Sequence, residues 1–456
     1  MTPLTGHLGE PEVPARVAII GSGPSGFYAA EHLLMSPRRI EVHMFERLPK
    51  PFGLVRFGVA ADHAKIRQVI RMFETVSDND HFHFWGHVHV GSELRIHELR
   101  QHFDAIVLAY GAETDRNLNL LGEALPRSYT ATEFCAWCNG HPDYRLRQFD
   151  LGHEFAVVVG QGNVAMDVVR ILAKPVDELA KTDMASHALE ALAESKVTEI
   201  YCIGRRGPAQ AAFTPKEIRE LGAIESCDVV VDPEDLKLDP ISRRELELPD
   251  RQYAKRNMAI LHDFAQRPRT NACRRVYLQF LLSPAQLDGD GGVEELVVEH
   301  NRLEGPVGEQ WARGTGELRS TPCEVFFRAV GYHGMPMPGI PFDHKRGVVP
   351  NEGGRVEPGV YAVGWIKRGP SGLIGTNKRC SQETMDLLLE DLPKTKPAVI
   401  RDNEAIGRLL RQRGVKVVTW SDWQKIDRAE VERGQALGKP RENFTHVGEM
   451  LELLER

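Results

Sequence analysis

Two stretches of this chain run from a β-branched segment through a glycine-rich turn into a helical pattern, and they begin about 140 residues apart. The first is Val17-Ala-Ile-Ile20, then Gly21-Ser-Gly-Pro-Ser-Gly26, then Phe27 to Leu34. The second is Phe155 to Val159, then Gly160-Gln-Gly-Asn-Val-Ala165, then Met166 to Ala173, stopped by Pro175. Each reads as strand, turn and helix, the opening of a dinucleotide-type βαβ unit. The pair predicts an α/β chain with two Rossmann-like dinucleotide-binding domains.

The first turn has the physical features of a pyrophosphate site. Gly21 allows the tight turn, Gly23 lets backbone approach a phosphate, and Gly26 lets helix and strand pack closely. The helix N-terminus behind them offers unpaired N–H groups and partial positive charge. A second strand, Ile40 to Phe45, ends in Glu46, which can accept hydrogen bonds from both hydroxyls of an adenosine ribose. The plainer alternative is an ordinary βα turn.

The second turn reads Gly160, Gly162 and Ala165, and its following strand, Val197 to Ile203, ends in Gly204-Arg205-Arg206. An acid there would repel a 2′-phosphate, whereas two guanidiniums bind one bidentately. This site is expected to prefer NADP, the alternative being a solvated arginine pair. Two such sites in one chain imply a flavoprotein that accepts hydride from a nicotinamide, with FAD in the first fold and NADP in the second.

Composition fits that reading. A length of 456 residues suggests roughly three domains' worth of chain. The 57 Lys and Arg against 64 Asp and Glu give a net charge of −7, which argues against a wholly basic nucleic-acid binder. Seven scattered cysteines do not make a secreted disulfide scaffold. No long apolar run suggests a membrane span, and Met1 to Arg16 lacks the apolar centre of a signal peptide. A cytoplasmic enzyme with free thiols is the expectation.

Further strands are expected at Phe103–Ala109, Glu324–Val330 and Val360–Val363, with Val276–Leu282 and Glu294–Glu299 pairing around Asp288-Gly-Asp-Gly-Gly292. A helix is expected over Ser381–Leu389. The tail from about residue 400 is polar and helical in pattern, with Trp420 and Trp423 as possible anchors.

Several segments together resemble the adrenodoxin reductase family and its actinobacterial ferredoxin–NADP reductase relatives. They are Gly21–Gly26, Pro51-Phe-Gly-Leu-Val-Arg-Phe-Gly-Val-Ala60, Asp62-His63, Gly160–Ala165, Gly204-Arg-Arg-Gly-Pro208 and Gly364-Trp-Ile-Lys-Arg-Gly-Pro370. The resemblance runs from about residue 15 to about 395, and the tail resembles the actinobacterial relatives more loosely. It implies an NADP domain (115–326) inserted into an FAD domain (1–114 and 327–456). It implies a ferredoxin–NADP+ reductase that passes hydride from NADPH to FAD and then single electrons to a ferredoxin. It places FAD contacts at Ser25, Glu46, Leu54, Val90, Trp365, Gly372, Leu373 and Ile374. NADP contacts fall at Gln161, Gly162, Asn163, Val164, Arg205 and Arg206, with Arg116 near the coenzyme and Glu217 and Gly372 near its nicotinamide end. His63 and Glu220 match a pair near the active site, with a role in proton handling. The sequence departs from the family at Ala61, where Pro is usual, and at Arg379-Cys380-Ser381, where Asp is common.

Other signals compete. Cys135-Ala-Trp-Cys138 is a CxxC standing before the second turn, as in thiol–disulfide reductases. The alternative is a pair of small buried thiols. Zinc is disfavoured, because no second Cys/His pair lies at ligand spacing. A non-catalytic redox subunit of a larger complex is also open. His81, His83, His87 and His89 alternate along a strand-like run and read as one exposed face. Seven cations, Arg251, Lys255, Arg256, Arg267, Arg269, Arg274 and Arg275, fall within 25 residues beside a single acid, Asp263. They form either a solvated stretch or a dock for an acidic ferredoxin.

Overall fold

The computed structural model describes residues 7–63, 66–372, 374–402 and 404–455. The chain divides into two units: residues 1–59, 63–114 and 331–456 form the first, and residues 60–62 and 115–330 the second.

The first unit is built on β1 (Ala15–Ile20), β2 (Ile40–Glu46), β3 (Phe82–Gly86) and β4 (Ala105–Leu108), with helix α1 (Pro24–Leu34) between β1 and β2. β1 lies between β2 and β4, all parallel. Every residue of β1 is buried, and its side chains alternate between two apolar layers. Val17 and Ile19 join Phe27, Phe52 and Phe73, while Ala18 and Ile20 join Phe45, Val90 and Leu99. A strand covered on both faces needs an apolar run such as Val17 to Ile20.

In the second unit, β5 (Ser128–Thr130) leads into α2 (Ala131–Cys138). β6 (Phe155–Val159), α3 (Asn163–Ala173) and β7 (Glu199–Ile203) then repeat the strand–turn–helix–strand order, followed by α4 (Pro215–Leu221) and β8 (Cys227–Val231). Helices α5 (Pro240–Glu247) and α6 (Gln252–Gln266) precede β9 (Arg274–Gln279), which inserts in parallel between β7 and β8.

Here the structure corrects the expected hairpin. Val276–Leu282 is not one strand: the chain turns at Leu281, which takes a φ of 55°. β9 stays in the parallel sheet, and a new strand, β10 (Leu282–Asp288), pairs antiparallel with β11 (Glu295–Glu304) across the glycine-rich turn. β12 (Trp311–Pro322) completes this small sheet. The switch is held by Asn301, whose N–H donates to the Leu281 carbonyl at 2.7 Å. β13 (Val325–Arg328) then returns to the parallel sheet between β5 and β6.

The chain re-enters the first unit with β14 (Arg355–Glu357) and β15 (Val360–Ala362), the latter parallel to β4, giving the sheet order β14-β15-β4-β1-β2-β3. Helix α7 (Ile374–Asp391) follows, longer at its N-terminal end than the predicted Ser381–Leu389. The tail is helical, and its main element is α8 (Trp420–Ala436). Trp423 is 1% exposed in the core cluster of Phe27 and Phe52. Trp420 lies half-buried with its ring 5.7 Å from that of Phe84. No described helix is long and apolar enough to cross a membrane.

Candidate functional site

In the first unit the site forms where β1, β2, β4 and β15 end, the place where open α/β sheets bind ligands. Gly21 has a φ of 102°, and a Cβ at Gly26 would stand 2.2 Å from the Gly21 carbonyl oxygen, so only glycine closes this turn. Around a Cβ built on Gly23 there is open space, and Gly23 caps α1 with no side-chain hydrogen bond. The free N–H groups of the helix start therefore face room for a phosphate. Glu46 sits at the end of β2. One carboxylate oxygen accepts from the Ser22 N–H (3.2 Å) and hydroxyl (2.6 Å), and the other accepts from the Leu48 N–H (3.1 Å). The acid is thus tied to the turn it serves.

Ser25 is buried on α1, and its carbonyl accepts from the Ser381 hydroxyl at 3.0 Å. The Gly364 N–H points to the Cys380 sulfur at 3.4 Å. Ser381 thus braces the start of α1, and Cys380 the backbone that follows β15. Leu54 opens the short helical stretch Leu54–Phe57, and Val90 is buried beside Ile20 and Phe45. Gly372 is exposed with a φ of 80°, and Ile374 begins α7 half-buried. Leu373 lies outside the described residues. His63 is buried at 5% exposure.

Three polar side chains test whether this unit fits a flavin nucleotide. The Tyr110 hydroxyl, the Trp365 indole N–H and the Nε and Nη1 groups of Arg368 are buried with no hydrogen-bond partner. Tyr110 follows β4, and Trp365 and Arg368 follow β15. Buried donors without partners cost free energy, and a polar ligand at the strand ends would satisfy them. The residues fit FAD.

In the second unit the corresponding turn is looser. Gly160 has a φ of 130°, and a Cβ there would meet the Ala329 carbonyl at 2.3 Å. Ala165, however, keeps its methyl group inside the core. Gly162 faces open space. Gln161 donates to the Gln279 carbonyl at 2.8 Å, and the Asn163 side-chain oxygen accepts from the Thr214 N–H at 2.9 Å, with Val164 half-buried between them and the core. Arg205 and Arg206 are exposed beyond β7. Their backbone carbonyls are pinned by the Asn301 side chain (3.0 Å) and the Leu281 N–H (3.0 Å). Partial loss of solvent around its guanidinium, with Arg205 alongside, draws Arg206 below its usual range. A pair of crowded cations is ready for an anion, so this unit fits a 2′-phosphorylated coenzyme. Arg116 is exposed in the same unit.

Glu217 is 4% exposed in the first turn of α4. It belongs to a buried cluster that the sequence did not reveal. Arg170 on α3 donates to Glu217 (3.1 Å), Asp167 (2.6 Å) and both oxygens of Asp62 (2.7 and 2.9 Å), while Lys174 donates to Asp62 at 2.7 Å. These cations hold the Asp62 carboxyl well below its ordinary range despite its burial. The only sequence signal was the i,i+3 spacing of Asp167 and Arg170. Glu220, one turn further along α4, is half-exposed and lies 3.6 Å from Lys216.

Cys135 and Cys138 are fully buried in the last turn of α2, and burial pushes both thiols well above their ordinary value. A thiol–disulfide catalyst needs an accessible thiolate, and neither cysteine supplies one. The basic stretch is also less free than its composition suggests. Arg251 pairs with Glu245 (3.1 Å), Arg267 with Asp263 (2.7 Å) and Arg275 with Glu199 (2.7 Å), while Arg274 donates to the Lys174 carbonyl (3.0 Å). Lys255, Arg256 and Arg269 remain exposed. Of the histidine run, His83 and His89 are exposed, and the His83 ring lies tilted 4.5 Å from that of buried His43.

Comparison with known proteins adds independent findings. Residues 19–88 match a family model described as an NAD(P)-binding Rossmann-like domain. The NADPH-ferredoxin reductase FprA of Mycobacterium tuberculosis is 41% identical over 96% of this chain and 99% of its own length. The mitochondrial NADPH:adrenodoxin oxidoreductase of Homo sapiens is 40% identical, covering 98% of this chain and 94% of its own. The structure of Mycobacterium tuberculosis FprA in complex with NADPH superposes with a TM-score of 0.91 at 41% identity, over 96% of this chain and 99% of that one. With both glycine turns, both strand-end signatures and this full-length likeness in hand, the chain belongs to the adrenodoxin reductase family, which includes the FprA-type ferredoxin reductases.

Proposed function

We propose that the chain is an NADPH-dependent flavoenzyme that passes hydride to FAD and then single electrons to a ferredoxin. The observation that carries this reading is the contrast between the strand ends: Glu46 beside the first glycine turn, and Arg205-Arg206 beside the second. The relatives named for NADPH and for ferredoxin or adrenodoxin support the same assignment. FAD belongs to the unit of 1–59, 63–114 and 331–456, and NADP to the unit of 60–62 and 115–330.

Bound FAD supplies the conversion between two-electron and one-electron chemistry. The chain's own residues bind and orient. The N–H groups around Gly21, Gly23 and Gly26 receive the FAD pyrophosphate, and Glu46 accepts from its ribose hydroxyls. Leu54, Val90, Trp365, Gly372 and Ile374 surround the rest of the nucleotide, with Tyr110 and Trp365 as donors. In the second unit, Gln161, Gly162, Asn163 and Val164 present the turn to the coenzyme pyrophosphate. Arg205 and Arg206 hold the 2′-phosphate, and Arg116 adds charge nearby. Glu217, fixed by Arg170, orients the nicotinamide end. His63 and Glu220 hold and move the proton, His63 through its imidazole nitrogens.

For the ferredoxin we assign the exposed cations Lys255, Arg256 and Arg269, because the other four in that stretch are committed to partners inside the protein. Charge complementarity at such a surface acts mainly on association rate. The seven free cysteines suit a reducing, cytoplasmic setting.

The deciding experiment is purification of the chain followed by NADPH-driven reduction of cytochrome c through added ferredoxin. A yellow protein active only when ferredoxin is present is expected. A colourless chain that takes up no FAD would sink the proposal.

A further inference from the structure

The C-terminal tail reaches the first glycine turn through a buried cluster of charges. Glu430, on α8, has no exposed side-chain surface. One carboxylate oxygen accepts from the Lys50 ammonium (2.6 Å) and from the Phe444 N–H (2.9 Å). The other accepts from Arg441 at 2.8 Å and lies 3.6 Å from Arg56. Lys50 is itself fully buried and also donates to the Phe444 carbonyl at 3.0 Å. Asp427, one turn earlier on α8, pairs with Arg441 at 2.7 Å and faces Arg56 at 3.7 Å. The Arg56 guanidinium lies 4.5 Å above the Trp423 ring and 5.4 Å above that of Phe52.

Lys50 and Arg56 bracket the segment that crosses the first turn. Within it Phe52 has a φ of 86°, and its N–H donates to the Ser22 carbonyl at 3.0 Å. A Cβ built on Gly53 would lie 3.2 Å from the Gly23 Cα. The segment therefore rests on the phosphate-facing residues, in a backbone conformation that Phe adopts only when its surroundings impose it. The tail is part of those surroundings, with the Trp420 and Trp423 rings each 6.1 Å from that of Phe52.

We propose that Glu430 is a positioning residue for the flavin nucleotide. By clamping Lys50 and Arg56, it fixes the height of residues 50–57 above the turn at Ser22 and Gly23, and so sets how tightly FAD is retained. This rests on the assignment of FAD to the first turn. The tail is on this account part of the nucleotide site without touching the nucleotide. Breaking one side of a buried ion cluster leaves charges unmatched, whereas removing both sides together relieves part of that penalty.

The test uses the holoenzyme and three variants: Glu430→Gln, Lys50→Met and the double variant. FAD dissociation is followed by the rise in free-flavin fluorescence, the bound flavin by its visible spectrum, and NADP+ affinity by titration. For Glu430→Gln, FAD dissociation should be faster by roughly tenfold or more, with a shifted flavin spectrum and NADP+ affinity unchanged. The double variant should retain FAD better than the product of the single effects predicts. If Glu430→Gln does not fold, Arg441→Gln, whose parent side chain is 17% exposed, is measured in the same way. FAD retention and spectrum within twofold of the parent would overturn the proposal. So would a parallel loss of FAD and NADP+ affinity, the mark of general loosening. A parent chain that binds no FAD at all would instead fell the assignment of the first turn.

Discussion

The two glycine turns are backed by buried ion clusters of opposite sense. Behind the first, one carboxylate, Glu430, is surrounded by Lys50, Arg56 and Arg441. Behind the second, one guanidinium, Arg170, is surrounded by Asp62, Asp167 and Glu217. The first cluster clamps a segment over the mouth of its turn. The second anchors α3, the helix that starts at its turn, from within the unit, and Gly162 keeps open space before it. The first arrangement suits a nucleotide that stays, and the second suits one that comes and goes in every cycle.

The comparison can be broken most forcefully at Arg170. Arg170→Met leaves three buried carboxylates short of a cation and should cost about 3–5 kcal/mol of stability, read by urea unfolding. Asp62 adds a pH signature. Its carboxyl is held below its ordinary value of 3.8, so its stabilisation is complete above that pH and is lost as pH falls below it. If Arg170→Met unfolds like the parent, the cluster does not anchor α3.

Gly26→Ala comes next. Its methyl group would press on the Gly21 carbonyl, and overpacking of this kind costs about 1–3 kcal/mol. FAD affinity should fall by about tenfold to a hundredfold, while NADP+ titration stays unchanged. An alanine tolerated here would erase the distinction from Ala165 in the second turn.

Replacing Arg205 and Arg206 by Ala should raise the KM for NADPH by about tenfold or more, the effect of losing even one charge-assisted hydrogen bond worth about 1.5–3 kcal/mol. The KM for NADH should scarcely move. Equal loss for both coenzymes would remove the 2′-phosphate from this site.

The smallest effect is expected at the CxxC. Cys135→Ser with Cys138→Ser should leave NADPH-to-ferredoxin turnover within about twofold at a temperature where the variant is folded, because burial keeps both thiols protonated. A collapse of turnover in folded protein would return those sulfurs to the mechanism.

How much of this was legible in the sequence depended on whether the physics is local. The strand–glycine–helix runs were readable because a turn, its helix start and the strand-end acid or arginine pair follow one another closely in sequence. β12 was missed because nearly all of its residues, from Trp311 to Pro322, are exposed, so no apolar alternation marks it. The break at Leu281 was hidden because it depends on Asn301, twenty residues on. The ion clusters were invisible for the same reason: Glu430 meets Lys50 across 380 residues, and a charged residue gives no local sign that it will be buried. In the basic stretch, composition counted seven charges but could not show that Arg251, Arg267, Arg274 and Arg275 have partners within the protein.

The short visit of residues 60–62 to the second unit has a practical consequence. A fragment cut at 115 and 330 would look like a self-contained coenzyme cassette, yet it would lack Asp62 and leave Arg170 with only Asp167 and Glu217. The insertion cannot be lifted out by two cuts in the chain, and a graft of this module into another host must carry that carboxylate along as a third piece.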